Sequence, residues 1–125
     1  MPKLQPDQVH NFIVHTCQAL GSEALEAELV ADQLVDANLA GHDSHGVGML
    51  PSYVDGVVNG RLRINSHPTV VVDGGALLTL DGNAGFGQVN GHEAMSMGME
   101  RASQHGVAVV GLRNSYHIGR IGHWA

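Results

Sequence analysis

The hydrophobic pattern of this chain changes period once, near residue 65, and that change limits the folds open to it. Upstream, apolar residues recur at three- and four-residue spacing, the repeat of helices with one buried face. Val9, Phe12, Ile13, Thr16, Cys17 and Leu20 form one such stripe. Ala27, Val30, Ala31, Leu34 and Ala37 form a second, with Glu26, Asp32, Gln33 and Asp36 on the opposite side. Gly21 stops the first helix, and Ser22 is a suitable N-cap for the second, which is expected to run to about Leu39. A third, short helix is predicted from about Pro51 to Asn59, ended by Gly60.

Downstream, the apolar residues come in short runs. Thr69-Val70-Val71-Val72 and Ala76 to Leu80 predict two strands around an Asp73-Gly74-Gly75 turn. Asp81 to Gly87 is a glycine-rich loop entering a helix from about Gln88 to Gln104. The inner face of that helix would carry Ala94, Met95, Gly98, Met99 and Ala102. Val107 to Leu112 is apolar throughout and predicts a buried third strand. The expected organisation is a helical region over residues 1–65, followed by the first part of an α/β (α+β) domain over 66–125. Trp124 falls in what reads as the opening turn of a helix and needs a packing partner, so the domain is expected to continue past Ala125.

Composition narrows the partners. With 43% hydrophobic and 14% charged residues, the chain is built to bury a core. A net charge of -6 argues against a nucleic acid or an anionic membrane, both of which need a basic surface. The charge is uneven: Lys3 is the only Lys or Arg before Arg61, so an anionic ligand is expected on the second part. Cys17 has no companion for a disulfide and lies on an apolar stripe, which predicts a buried thiol. No leader pattern or membrane-length apolar run is present, and a reducing cytoplasm is the expected setting.

The break after the second helix holds Gly41-His42-Asp43-Ser44-His45-Gly46. Imidazole is the side chain that exchanges protons near neutral pH, and a neighbouring hydroxyl can fix its tautomer. Three readings of this cluster stand open: a solvated loop, a metal centre using His42, Asp43 and His45, or a catalytic imidazole at His45 oriented by Ser44. Metal sites favour His-x-x-x-His on one helical face or paired cysteines. Here the histidines are three apart across a helix break, so no metal is expected. His117 follows the third predicted strand at a glycine-rich turn, where α/β folds place ligand contacts, or it is a loop histidine bonded to its own turn. The Asp81–Gly87 loop has neither G-x-G-x-x-G order nor a P-loop lysine, so Gly85-Phe86-Gly87 reads as a tight helix entry. Ser44 lacks the G-x-S-x-G setting of a nucleophile.

Taken together, Gly41-His42-Asp43-Ser44-His45-Gly46-Val47, Leu50-Pro51-x-Tyr53-Val54, Asp81-Gly82-x-x-Gly85-Phe86-Gly87-Gln88, Ala94-Met95 and Asn114-Ser115-x-His117-x-Gly119-x-x-Gly122 resemble the N-terminal portion of the type 2 malate/L-lactate dehydrogenase family. The likeness is strongest to its bacterial hydroxycarboxylate dehydrogenase B branch. It implies a helical region followed by a non-Rossmann nicotinamide-binding domain with a largely antiparallel sheet, in longer chains that form homodimers. The implied activity is hydride transfer between NAD or NADP and C2 of a small 2-oxo/2-hydroxy acid. Carried over residue by residue, His45 is the catalytic histidine, held by Ser44 and lying against the cofactor. His117 is a second active-site histidine, which some members use as the acid/base, so it either hydrogen-bonds the same oxygen as His45 or takes over its role; Tyr53 is a substrate contact. Gly119, Arg120 and Ile121 form the turn that meets the dinucleotide. Many members have an arginine four residues after the catalytic histidine to grip the substrate carboxylate; this chain has Met49. Two alternatives accompany that reading: an inactive fragment serving as a structural or dimerisation module, and a histidine-based metal-binding protein.

Overall fold

The computed structural model describes residues 2–125. Helix α1 spans Pro6–Leu20, opened by a proline whose missing N–H costs nothing in the first turn. It closes at Gly21, whose φ of 105° lets its amide and that of Ser22 cap the last carbonyls. Helix α2 spans Ala24–Leu39 and packs along α1, with Ile13 and Cys17 against Ala27, Val30, Ala31 and Leu34. Helix α3, Leu50–Val58, closes this core with Leu50 and Tyr53.

Ser22 does not cap α2. Its hydroxyl donates to Glu26 Oε1 at 2.7 Å, and Glu23 takes the N-cap position without a side-chain bond. The supposed polar side of α2 is also partly inside: Glu26 is 5% exposed and Gln33 1%. Each is drawn in by a backbone group from a distant segment, Asn65 N–H for Glu26 and Ile118 C=O for Gln33.

Strands β1 (Thr69–Gly74) and β2 (Leu77–Asp81) form an antiparallel hairpin with a register break between Val70 and Val72. Helix α4, Gly87–His105, then crosses over, and strand β3, Val109–Arg113, pairs parallel with β2. The sheet order is β1-β2-β3, so in these residues the sheet is mixed: one antiparallel and one parallel pairing. The fold is therefore α+β, helices first and sheet second, without a Rossmann turn.

Leu78, Leu80 and Ala94 form a small second core. The first turn of α4 is buried from Gly87 to Gly91, and Phe86 and Val89 belong to the helical core. Two expectations about burial fail here. Val109 is 60% exposed on the same open sheet face as its register partner Leu77, 62% exposed on the central strand, and Met95 and Met99 are 42% and 62% exposed. The two methionines line an apolar groove with Ile121 and Trp124 that no described residue fills.

Candidate active site

Helix α2 ends at Leu39 with Ala40 as its C-cap, and Gly41 turns the chain with φ 75° into two short 3₁₀ turns, Asp43–His45 and Val47–Met49. Asn38, on the last turn of α2, spans this loop. Its Nδ2 donates to Asp43 Oδ1 at 2.8 Å, and its Oδ1 accepts the Val47 amide at 2.8 Å. Gly46 makes this possible, since a Cβ there would overlap the Asn38 carboxamide. His45 is half-buried between them, its Nδ1 3.0 Å from Ser44 Oγ and its ring 4.0 Å from that of His42.

His117 reaches the same place from the other half of the chain. The glycine-rich loop cradles the segment after β3: Gly82 N–H donates to Arg113 C=O, Ala84 N–H to Asn114 C=O, and Tyr116 N–H to Gly85 C=O. Gly87 lets α4 begin against the His117 carbonyl, where a Cβ would overlap backbone. The His117 ring lies 5.2 Å from the His45 ring, centroid to centroid. Its Nδ1 is 2.8 Å from the Tyr53 hydroxyl, which in turn accepts Gln88 Nε2 at 2.9 Å.

The electrostatics follow from burial. Tyr53 is fully buried, which pushes its hydroxyl up to about 12, so it keeps its proton. Burial, and then the neighbouring His45, push the His117 imidazole below its ordinary value, so the neutral ring is favoured. Both imidazoles thus have Nδ1 held by a hydroxyl. Neither Nε2 has a hydrogen-bond partner among the described residues.

Helix α2 also fixes the turn that follows. Gln33 Nε2 donates to Ile118 C=O at 2.9 Å, and Asp36 takes Arg120 Nη1 and His123 Nδ1, each at 3.2 Å. Gly119, at φ 79°, is the only residue type that fits, because a Cβ would overlap the Gln33 carboxamide. The amides of Gly119, Arg120 and Ile121 donate no hydrogen bond among the described residues. Unpartnered amides beside a guanidinium suit an anionic group.

The sequence profile of the malate/L-lactate dehydrogenases matches residues 4–125. The chain belongs to that family. It is similar to hydroxycarboxylate dehydrogenase B of Escherichia coli strain K12, 58% identical over 117 residues that cover 94% of this chain and 32% of the relative. Its fold matches malate dehydrogenase from Pyrococcus horikoshii OT3 with a TM-score of 0.95 at 36% identity, over 99% of this chain and 36% of that one. Sulfolactate dehydrogenase from Methanocaldococcus jannaschii matches with a TM-score of 0.93 at 33% identity, over 97% and 35%. The chain therefore spans about a third of the length of these family members.

In this family member, Ser44, His45 and His117 come together, and Tyr53 joins them from behind rather than from the open side. The Tyr53 side chain has no exposed surface, and its hydroxyl faces His117 and Gln88. Met49 is half-buried against the helical core, so no cation stands one helical turn after His45. Among the described residues, the group of imidazole and carboxylate ligands that converges, His10, Glu28 and Asp32, uses none of the residues from the His42–His45 loop. Three carboxamides with no role assigned from the sequence, Gln33, Asn38 and Gln88, position the loops around the two histidines. Nothing in their local spacing marked them; the adjacency of Gln88 to Gly85-Phe86-Gly87 was the nearest signal.

Proposed function

We propose that the intact protein transfers hydride between NADH or NADPH and C2 of a small 2-oxo/2-hydroxy acid, with His45 moving the proton. The observation that carries this reading is the pair of imidazoles 5.2 Å apart, each tied at Nδ1 and open at Nε2, in a member of a dehydrogenase family. When bound, the nicotinamide supplies the hydride during reduction and takes it back during oxidation.

The chain's own residues manage the oxygen. Protonated His45 gives its Nε2 proton to the carbonyl oxygen as that carbon is reduced, and recovers it in the reverse direction. Ser44 Oγ accepts from His45 Nδ1 and keeps the ring in place. His117 hydrogen-bonds the same oxygen through Nε2, and Tyr53 acts through His117 rather than by touching substrate. The free amides of Gly119, Arg120 and Ile121, with the Arg120 guanidinium, fit a dinucleotide's phosphates. The sulfolactate and malate dehydrogenases among its relatives are named for 2-hydroxy acids, which supports that substrate class. With Met49 in place of an arginine, the substrate carboxylate takes its cation from elsewhere, Arg120 or a residue outside this chain.

The same reading includes a homodimer in the cytoplasm that does not bind nucleic acid, with the helical region ending near residue 65. No helix of the described residues is long and apolar enough to cross a membrane. A second reading, in which these 125 residues act alone as a structural or dimerisation module, draws on the exposed Val70, Val71, Val72, Leu77 and Val109 of the sheet.

The test uses the intact protein. His45→Ala should lose roughly 10²- to 10⁴-fold in turnover of a 2-oxo acid while NADH still binds. Near-normal turnover overturns His45 as the acid. NADH fluorescence titration of the 125-residue chain separates the second reading, which expects no binding.

A further inference from the structure

Gln88 has no contact with the open side of the site, yet it is fully buried and its carboxamide nitrogen bonds the Tyr53 hydroxyl at 2.9 Å. Its carbonyl oxygen is buried without a partner. A buried glutamine with one end paired and one end empty is placed by its paired end, so the direction of that bond carries information. The Tyr53 oxygen receives the Gln88 N–H, which leaves the single Tyr53 proton for its other neighbour, His117 Nδ1, at 2.8 Å. The reverse arrangement would strand both amide protons of Gln88 in the interior. Orphaned buried N–H groups are rarer than under-used carbonyls.

We propose that Gln88 is a positioning residue that fixes the tautomer of His117. The chain of donors runs from Gln88 N–H to Tyr53 O–H to His117 Nδ1, so the proton of the neutral ring sits on Nε2, the nitrogen left open. His117 then serves as a neutral hydrogen-bond donor to the substrate oxygen rather than as a base, and proton transfer falls to His45. Two features agree with this division. Burial keeps His117 uncharged and keeps the Tyr53 proton in place, so Tyr53 does not relay a proton through the ring. The role of His117 rests on the dehydrogenase reading; the tautomer does not.

The deciding measurement is the nitrogen chemical shift of the His117 ring in the intact, isotope-labelled protein, assigned with a His117→Asn variant. The wild type should show a protonated Nε2 and an unprotonated Nδ1. Gln88→Glu, which presents an acceptor to Tyr53, should reverse the hydrogen-bond direction and move the ring proton to Nδ1. Tyr53→Phe, which removes the hydroxyl shared by both bonds, should give a mixture of tautomers and serves if the glutamate variant does not fold. Reduction of a 2-oxo acid should fall on the order of 10²-fold in kcat for Gln88→Glu, the scale of losing one oxyanion donor, with KM for NADH unchanged. A wild-type ring protonated at Nδ1, or an unchanged tautomer in folded Gln88→Glu, overturns the proposal. If the wild type reduces no 2-oxo acid, the dehydrogenase reading fails while the tautomer result still stands.

Discussion

The Asn38 side chain accepts the Val47 amide at 2.8 Å, and through this bond the end of α2 sets the loop that carries His45. The other end of the carboxamide holds Asp43, so the bracket encloses Ser44 and His45 on both sides. Asn38→Ala leaves the half-buried Val47 amide without its protein partner, a cost of about 1 kcal/mol, the net worth of one hydrogen bond. Urea unfolding should show that loss, and turnover should fall more than NADH affinity does. Asn38→Asp keeps the acceptor for Val47 but faces Asp43 with a like charge, so its stability should lie between those of Asn38→Ala and the wild type.

The glycines around the site divide sharply by what surrounds them. A Cβ at Gly87 would overlap the His117 carbonyl and Ile118 Cα, both backbone atoms, whereas a Cβ at Gly48 meets nothing within 4 Å. Gly87→Ala must therefore push α4 away from the segment bearing His117, at a cost of about 1–3 kcal/mol or more. Gly48→Ala has room, and a stiffer unfolded chain favours it by up to about 1 kcal/mol. Thermal melting of the two variants should move in opposite directions. A Gly87→Ala variant that melts no lower than the wild type would mean that the contact at Gly87 relaxes freely.

Local chemistry in the sequence led to the helices, the hairpin and the Ser44–His45 contact, because each depends on neighbours within a few residues. Gly21 and Gly75 ended elements where their left-handed φ values of 105° and 75° are needed. Polar residues with distant partners were the ones misread. Glu26 and Gln33 look like a solvent face of α2, but their partners lie 39 and 85 residues away. The opposite error befell Met95, Met99 and Val109. An apolar residue is buried only where a second layer exists, and no described residue covers the groove or the sheet face that bears Val109 and Leu77. The Tyr53–His117 and Gln88–Tyr53 bonds span 64 and 35 residues, beyond the reach of any spacing rule.

Cys17 is fully buried, and burial, with Glu26 adding to it, pushes the thiol up to about 11. Only the thiolate attacks a disulfide reagent. At pH 8 the folded protein should therefore be inert toward Ellman's reagent, and denaturant should release one thiol per chain. Prompt reaction without denaturant would place Cys17 outside the core.

Glu26 sits where a carboxylate is least comfortable, and its titration should be visible in stability. Its oxygens accept the Ser22 hydroxyl at 2.7 Å and the Asn65 amide at 2.9 Å, which favour the charged form. Burial outweighs them and raises the carboxyl above its ordinary value of 4.5. The native state then holds the proton more tightly than the unfolded chain does, and stability falls with pH wherever that is so. The contribution is full below the unfolded value and is lost as pH rises through the folded one. Glu26→Gln removes this titration and keeps an acceptor for Asn65. Its stability relative to wild type should therefore improve as pH rises from 4 toward 7, read from urea unfolding at each pH. A constant difference across that range would mean that Glu26 titrates alike in both states. Glu26→Ala should be less stable than wild type at every pH, by about 1–3 kcal/mol, because the Asn65 amide is left unpaired.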